Sequence, residues 1–292
     1  MSLPSIAIIN FTSNLREQDV QDVIRAINRQ VVEDYVPIWG AGRLARLHAA
    51  DFDPSDPDSL SEERVAADSV IYLVDQPNVP GALGFHSINS SEIPVGFVFE
   101  DLGDWTITLS HEVLELIVDP TANVFVPGPD PRSASDAFTL LHAYETCDAV
   151  ERSTYVIDGV EVSNFVTPQY FFAGDAGGTR NDFLGVGVDS FGVTDGSHLG
   201  VINLDTLGFE TILGSGMPSS KMAARRQEQF AHDRPGRHDE EFTAMLEKYN
   251  EDLPAKGCRP LKNLRGLTRL ARYESAAAMF KQTRQPAQSP PL

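Results

Sequence analysis

The chain has 292 residues, 41% of them hydrophobic, enough for one large core with room for an extension. Its charge is lopsided: residues 1–215 hold 9 Lys+Arg against 33 Asp+Glu, a net of −24, whereas residues 216–292 hold 14 against 9, a net of +5. Such an acidic portion disfavours nucleic-acid partners and favours cations, although solubility alone is the plainer reason for it, and with no run of 18 apolar residues no membrane-spanning helix is expected.

In chain order, Ser5 to Phe11 reads as a buried strand, and Gln18 to Val32 as a helix on the spacing of Val20, Val23, Ile24, Ile27 and Val31. Val36 to Trp39 and Ala45 to His48 read as short strands, and Ser69 to Val74 as a stronger one. Gly81 to His86 suggests an open, small-residue edge strand, and Val95 to Phe99 a further strand. Strands interleaved with helices predict an α/β (α+β) protein with a mixed sheet, not a helical bundle. His86, at the end of the edge strand, could reach a cleft and polarise a carbonyl; a satisfied structural histidine is the equal alternative.

Residues 110–120, Ser-His-Glu-Val-Leu-Glu-Leu-Ile-Val-Asp-Pro, carry the densest chemistry. At about 100° per residue, His111, Glu115 and Asp119 recur at i, i+4 and i+8, with Glu112 flanking them. Leu109, Val113, Leu116 and Ile117 take the other side, which predicts an amphipathic helix with a carboxylate-rich face. No Lys or Arg occurs between Arg64 and Arg132, so these carboxylates lack a local basic partner and a divalent cation is the natural counter-charge. Water and backbone satisfying a polar face is the alternative.

Downstream, Ala134, Phe138, Leu141, Glu145 and Asp148 recur at spacings of 4, 3, 4 and 3, which predicts a second helix over residues 134–151. Its apolar members would turn Glu145 and Asp148 toward the core, where a carboxylate needs a partner.

The string His111-Glu112-x-x-Glu115 resembles the zincin metallopeptidase signature His-Glu-x-x-His, with Glu115 in place of the second histidine. The resemblance implies Zn²⁺ held by His111 and Glu115, with Glu112 as general base for peptide hydrolysis. A carboxylate in the second position hardens the site, so Mn²⁺ or Fe²⁺ also fits. Gluzincins, a zincin subclass, take a third ligand from a second helix and use a following Asp to orient the ligand histidine; Glu145 and Asp148 resemble that pair one residue too close, and Asp119 competes as third ligand. With Trp39-Gly40, Gly84-Phe85-His86, Tyr144-Glu145-Thr146-Cys147-Asp148 and residues 162–168, the stretch 5–172 is similar to an uncharacterised bacterial group of zincin-like proteins. The implied partner is a peptide or protein substrate. The rival expectation is a non-catalytic, metal-stabilised component of a phage or secretion assembly, with Asp119 or Cys147 closing the shell. A di-metal site pairing the signature with His142 and Glu145 fits poorly with alternating strands and helices.

Tyr155 to Val162 predicts a hairpin turning at Asp158-Gly159. The glycine-rich residues 174–182 lack a following Gly-Lys-Ser/Thr and read as a surface loop. Past a boundary near residues 214–218, a basic helical extension over 216–292, with a Pro-rich tail, is expected to dock on the acidic part through Lys262, Arg265, Arg269 and Arg272 instead of binding nucleic acid. Two cysteines, Cys147 and Cys258, are too few for a disulfide framework, and Cys147 reads as a small core residue. With no basic n-region or apolar stretch at the start, a cytoplasmic location is expected, with specialised export or virion association left open.

Overall fold

Residues 5–48, 65–75, 83–88, 93–100, 103–134, 137–172 and 180–215 are described in a computed structural model. The expected C-terminal extension and most of the glycine-rich loop lie outside the described residues. Strand β1 (Ser5–Asn10) sends Ile6 and Ile8 to one apolar layer and Ala7 and Ile9 to another. Burial on both faces is why this run is continuously apolar. β1 pairs in parallel with β2 (Leu44–Leu47) and β3 (Ser69–Val74), and β3 pairs in parallel with β5 (Pro94–Phe99). β4 (Gly84–Ile88) joins β5 antiparallel, giving the order β2-β1-β3-β5-β4 with β4 at the edge.

Helix α1 (Glu17–Gln30) lays Val20, Val23, Ile24 and Ile27 on the layer that holds Ile6 and Ile8. It continues through a π-helical turn, Val31–Tyr35, into the short α2 (Val36–Trp39). The expected strand at 36–39 is therefore helical. Pro37 follows directly on the π-helical turn, and Gly40 ends the run in the left-handed region at φ 69°. The Trp39 indole N–H donates to the Val166 carbonyl at 3.0 Å, which fixes the chain's exit.

Helix α3 (Trp105–Val118) carries the signature. Leu109, Val113, Leu114, Leu116 and Ile117 anchor it in the same layer, and it packs against β4 and β5. The second expected helix is replaced by a strand. Residues 138–143 form β7 (Phe138–Ala143), flanked antiparallel by β6 (Phe125–Pro129) and β10 (His198–Asn203), and among the described residues of that stretch only Asp148–Val150 is helical, as a single 3₁₀ turn. Leu140 and Leu141 are both buried, in different apolar clusters. Adjacent buried residues fit a central strand as well as a helix face, and cross-strand pairing decides between them. The second sheet runs β11-β10-β7-β6, with β11 (Phe209–Leu213) antiparallel to β10.

The expected hairpin is present as β8 (Thr154–Ile157) and β9 (Val160–Ser163). Its turn residues Asp158 and Gly159 lie at φ 51° and 84°, the left-handed pair that a tight two-residue turn requires. The molecule thus has mixed α/β content with a mixed parallel and antiparallel main sheet. Among the described residues no helix is long and apolar enough to cross a membrane.

Candidate metal centre

Helix α3 is held in place beneath the site by its own buried polar residue. The Ser110 hydroxyl donates to Gln30 Oε1 at 2.7 Å and accepts the Ser163 N–H at 3.1 Å, tying α3 to α1 and β9. The next residue, His111, and its successors one turn along then project into a buried cluster fed by four other segments.

His111 Nε2 lies 3.0 Å from Glu115 Oε2 and 3.2 Å from Asp148 Oδ1. A protonated Nε2 placed between two carboxylates can only divide its one N–H between them, so each contact is weaker than a full hydrogen bond. Glu115 Oε1 is already fixed by the Cys147 backbone N–H at 3.0 Å. Burial alone would pull the His111 pKa down, but Glu115, Cys147 and Asp148 outweigh it and hold the imidazole well above 6.5.

His86 enters from β4. Its Nε2 lies 3.1 Å from the Asp119 carbonyl, which only accepts, so Nε2 carries a proton. Its Nδ1 lies 3.1 Å from Glu112 Oε2, so a further proton is shared between that nitrogen and that carboxylate. Burial opposes the charge on His86, yet Glu145, Glu112 and Glu115 together raise it well above 6.5. Glu112 is raised in turn, by burial first, with His86 working against the shift.

Glu145 and Asp148 reach the cluster from the loop after β7 and from the 3₁₀ turn, not from a helix. Glu145 Oε2 lies 3.8 Å from His86 Nε2, is buried, and has no hydrogen-bond partner. Burial and then Glu115 push the Glu145 pKa well up. For Asp148 burial pushes up as well, but His198 and His111 prevail and lower it. Among the described residues, the ion-pair partners of Glu112, Glu115, Glu145 and Asp148 are all imidazoles.

In each of two triads, His111-Glu115-Cys147 and His86-Glu112-Glu115, the donor atoms lie within 4.8 Å of one another, and Glu115 belongs to both. The set of imidazoles and carboxylates, together with the orphaned Glu145 oxygen, fits a divalent cation of the zinc or manganese type. The Cys147 thiol is a poorer donor: burial raises its pKa strongly, and its Sγ faces the His111 carbonyl at 3.9 Å.

The structure thus brings His86, His111, Glu112, Glu115, Glu145 and Asp148 together. Asp119 is buried beside them, but its carboxylate accepts the Val124 N–H at 2.8 Å and shapes the turn after α3. Asp119 ends the helix at φ −129°, which breaks the i+8 register expected for it. His142 stays on β7, its Nε2 at 2.9 Å from the Pro129 carbonyl and its ring against Phe191. His198 and Glu151 also belong to the cluster: His198 Nε2 is 3.3 Å from Asp148 Oδ2, and Nδ1 is 2.9 Å from Glu151 Oε2. Only the sheet order brings β10 here, and no local spacing announces it. Comparison with known protein families, with curated proteins and with solved structures finds no match for this chain.

Proposed function

We propose that this protein is a metal-dependent hydrolase acting on peptide bonds, with a zincin-like site built on α3. The observation that carries the reading is the single nitrogen His111 Nε2 set against both Glu115 and Asp148, with the Glu112–His86 pair alongside. His111 and Glu115 would hold the ion, with Glu145 or Asp148 as third ligand; Asp119, whose carboxylate accepts the Val124 N–H, is the weaker candidate. Zn²⁺ suits the imidazole and carboxylate set, and Mn²⁺ or Fe²⁺ would also be accepted. When bound, such an ion polarises a carbonyl and acidifies water as a Lewis acid.

The chain's own residues supply the rest. Glu112 Oε2 accepts a proton from the attacking water as its oxygen bonds to the carbonyl carbon, and returns that proton to the amine as the C–N bond breaks. His86 Nδ1, hydrogen-bonded to the same oxygen, holds Glu112 in position and steadies its charge. β4 carries His86 and is the edge of its sheet among the described strands, so an extended peptide could pair along it. The side chains of His111, Asp148 and Glu145 are 12%, 14% and 18% exposed, against 4–5% for His86 and Glu112, so substrate would approach from the His111 side.

A second reading, an ion kept for stability alone, is favoured by the closeness of Cys147 to His111 and Glu115. A thiolate there would close the shell and exclude substrate. Glu112→Gln separates the two. In a hydrolase it keeps the ion and the fold but lowers cleavage of a peptide library by about 10²- to 10⁴-fold. Absence of any chelator-sensitive cleavage by the ion-loaded wild type would instead support the structural reading.

A further inference from the structure

His198, at the start of β10, is a buried imidazole placed directly behind Asp148. Both oxygens of Asp148 meet a histidine: Oδ1 lies 3.2 Å from His111 Nε2, and Oδ2 lies 3.3 Å from His198 Nε2. The far nitrogen of His198, Nδ1, is held by Glu151 Oε2 at 2.9 Å. Five groups therefore form one line: Glu151, His198, Asp148, His111, Glu115.

A carboxylate that merely orients a ligand histidine bonds the nitrogen opposite the ion, because the ion occupies the other lone pair. Asp148 does not do so. It meets Nε2, the same nitrogen that faces Glu115, so a cation held between His111 and Glu115 would have Asp148 on the same side of the ring. Glu145 has a different neighbour, His86 Nε2 at 3.8 Å. The arrangement behind Asp148 has the form usual for a ligating carboxylate, which is itself hydrogen-bonded by a further residue.

The two segments are also locked together. The Ala149 carbonyl accepts both the backbone N–H and the hydroxyl of Thr194, at 3.0 and 2.9 Å. The Arg152 N–H donates to Ser197 Oγ at 3.3 Å, and Val150 and Leu199 share one apolar cluster. β10 thus delivers His198 to Asp148 on a fixed frame.

We propose that Asp148 is the third ligand of the cation and that His198, gripped by Glu151, is the positioning residue that aims it. Glu145 is then left to the His86 side of the cluster. This rests on the metal reading above and assigns a role to a residue outside the signature.

The test is the Zn²⁺ dissociation constant, measured by competition with a chromophoric chelator, together with the visible spectrum of the Co²⁺-substituted protein. Both are recorded for the full-length wild type and for Asp148→Asn, His198→Gln, Glu151→Gln and Glu145→Gln. Asp148→Asn should lose most of the affinity. His198→Gln should weaken it by about 10- to 100-fold and shift the Co²⁺ bands, and Glu151→Gln should do the same to a smaller degree. Glu145→Gln should lose clearly less affinity than Asp148→Asn. A purely structural role for His198 would lower the melting temperature of the chelator-treated protein and leave the dissociation constant unchanged; that result, or loss of affinity in Glu145→Gln with none in Asp148→Asn, overturns the proposal. If His198→Gln does not fold, Glu151→Gln reads the same link, and a wild-type constant there contradicts it. Failure of the wild type to bind either ion would overturn the metal reading as a whole, an outcome distinct from the others.

Discussion

At the scale of single residues, the site is crowded on the sheet side. A Cβ added at Gly84 would meet Thr108 Cγ2 at 2.6 Å, the Phe97 carbonyl oxygen at 2.8 Å and Glu112 Oε1 at 2.9 Å. The carbonyl cannot yield without disturbing the β4–β5 ladder, so Gly84→Ala should destabilise the protein by about 1–3 kcal/mol and move Glu112. Denaturant titration measures the first effect and loss of cleavage the second; a fully stable, fully active Gly84→Ala would contradict the packing described. The cluster also sets a pH dependence for the ion-free protein. His86 and His111 are raised above 6.5, so their contribution is fully present below that pH and is lost as pH rises through their folded values. Glu112 and Glu145 are raised above 4.5, and their contribution is likewise lost as pH rises. Asp148, lowered from 3.8, acts oppositely, but only in strong acid. Chelator-treated protein should therefore melt lower at about pH 8 than at about pH 5, while added Zn²⁺ should stabilise more at the higher pH, since its ligands must be deprotonated. A chelator-treated melting point that rises across that range would count against the cluster. His111, Glu112 and Glu115 were legible in the sequence because one helix supplies all three at fixed angles. His198 was not, because only a strand pairing far along the chain places it there.

At the scale of elements, the main sheet and α3 follow from local patterns, and the second donor segment does not. Glu145 and Asp148 do arrive at the site, but on a loop and a 3₁₀ turn after β7. The spacing of 4, 3, 4 and 3 in that stretch coincides with a helical stripe, yet Phe138 ends half exposed and Leu140 and Leu141 are both buried. Pairing with β6 and β10 satisfies the backbone of β7 on both sides, a gain that single-segment periodicity cannot register. The short α2 differs from its expected strand for a related reason: Val36-Pro37-Ile38-Trp39 has strand-like composition, but it continues a helical run that begins at Glu17 and stops only at Gly40. How α3 is held to its neighbours gives a prediction of its own. Ser110→Ala would leave the buried Gln30 Oε1 and Ser163 N–H without their shared hydroxyl. The expected loss is about 1–3 kcal/mol, the cost of leaving buried polar partners unsatisfied. Denaturant midpoints for wild type and variant check it, and an unchanged midpoint would show that α3 is anchored by its apolar face alone.

At the scale of the whole molecule, residues 1–215 carry a net charge of −24, and the buried carboxylates of the cluster are the part of that charge water cannot screen. Three imidazoles offset it only in part, at the cost of protonation well outside their usual range for His86 and His111. On the proposed reading a divalent cation would resolve the conflict by binding the native state alone, and would therefore stabilise the fold. The most direct test is metal analysis of purified, dialysed protein beside its Glu115→Ala variant, since Glu115 belongs to both donor groups. The account predicts about one tightly held divalent ion per chain in the wild type, a lower melting temperature on chelation, and little or no ion in Glu115→Ala. A wild type that holds no divalent ion, with a melting temperature indifferent to chelator and to added Zn²⁺, would contradict it.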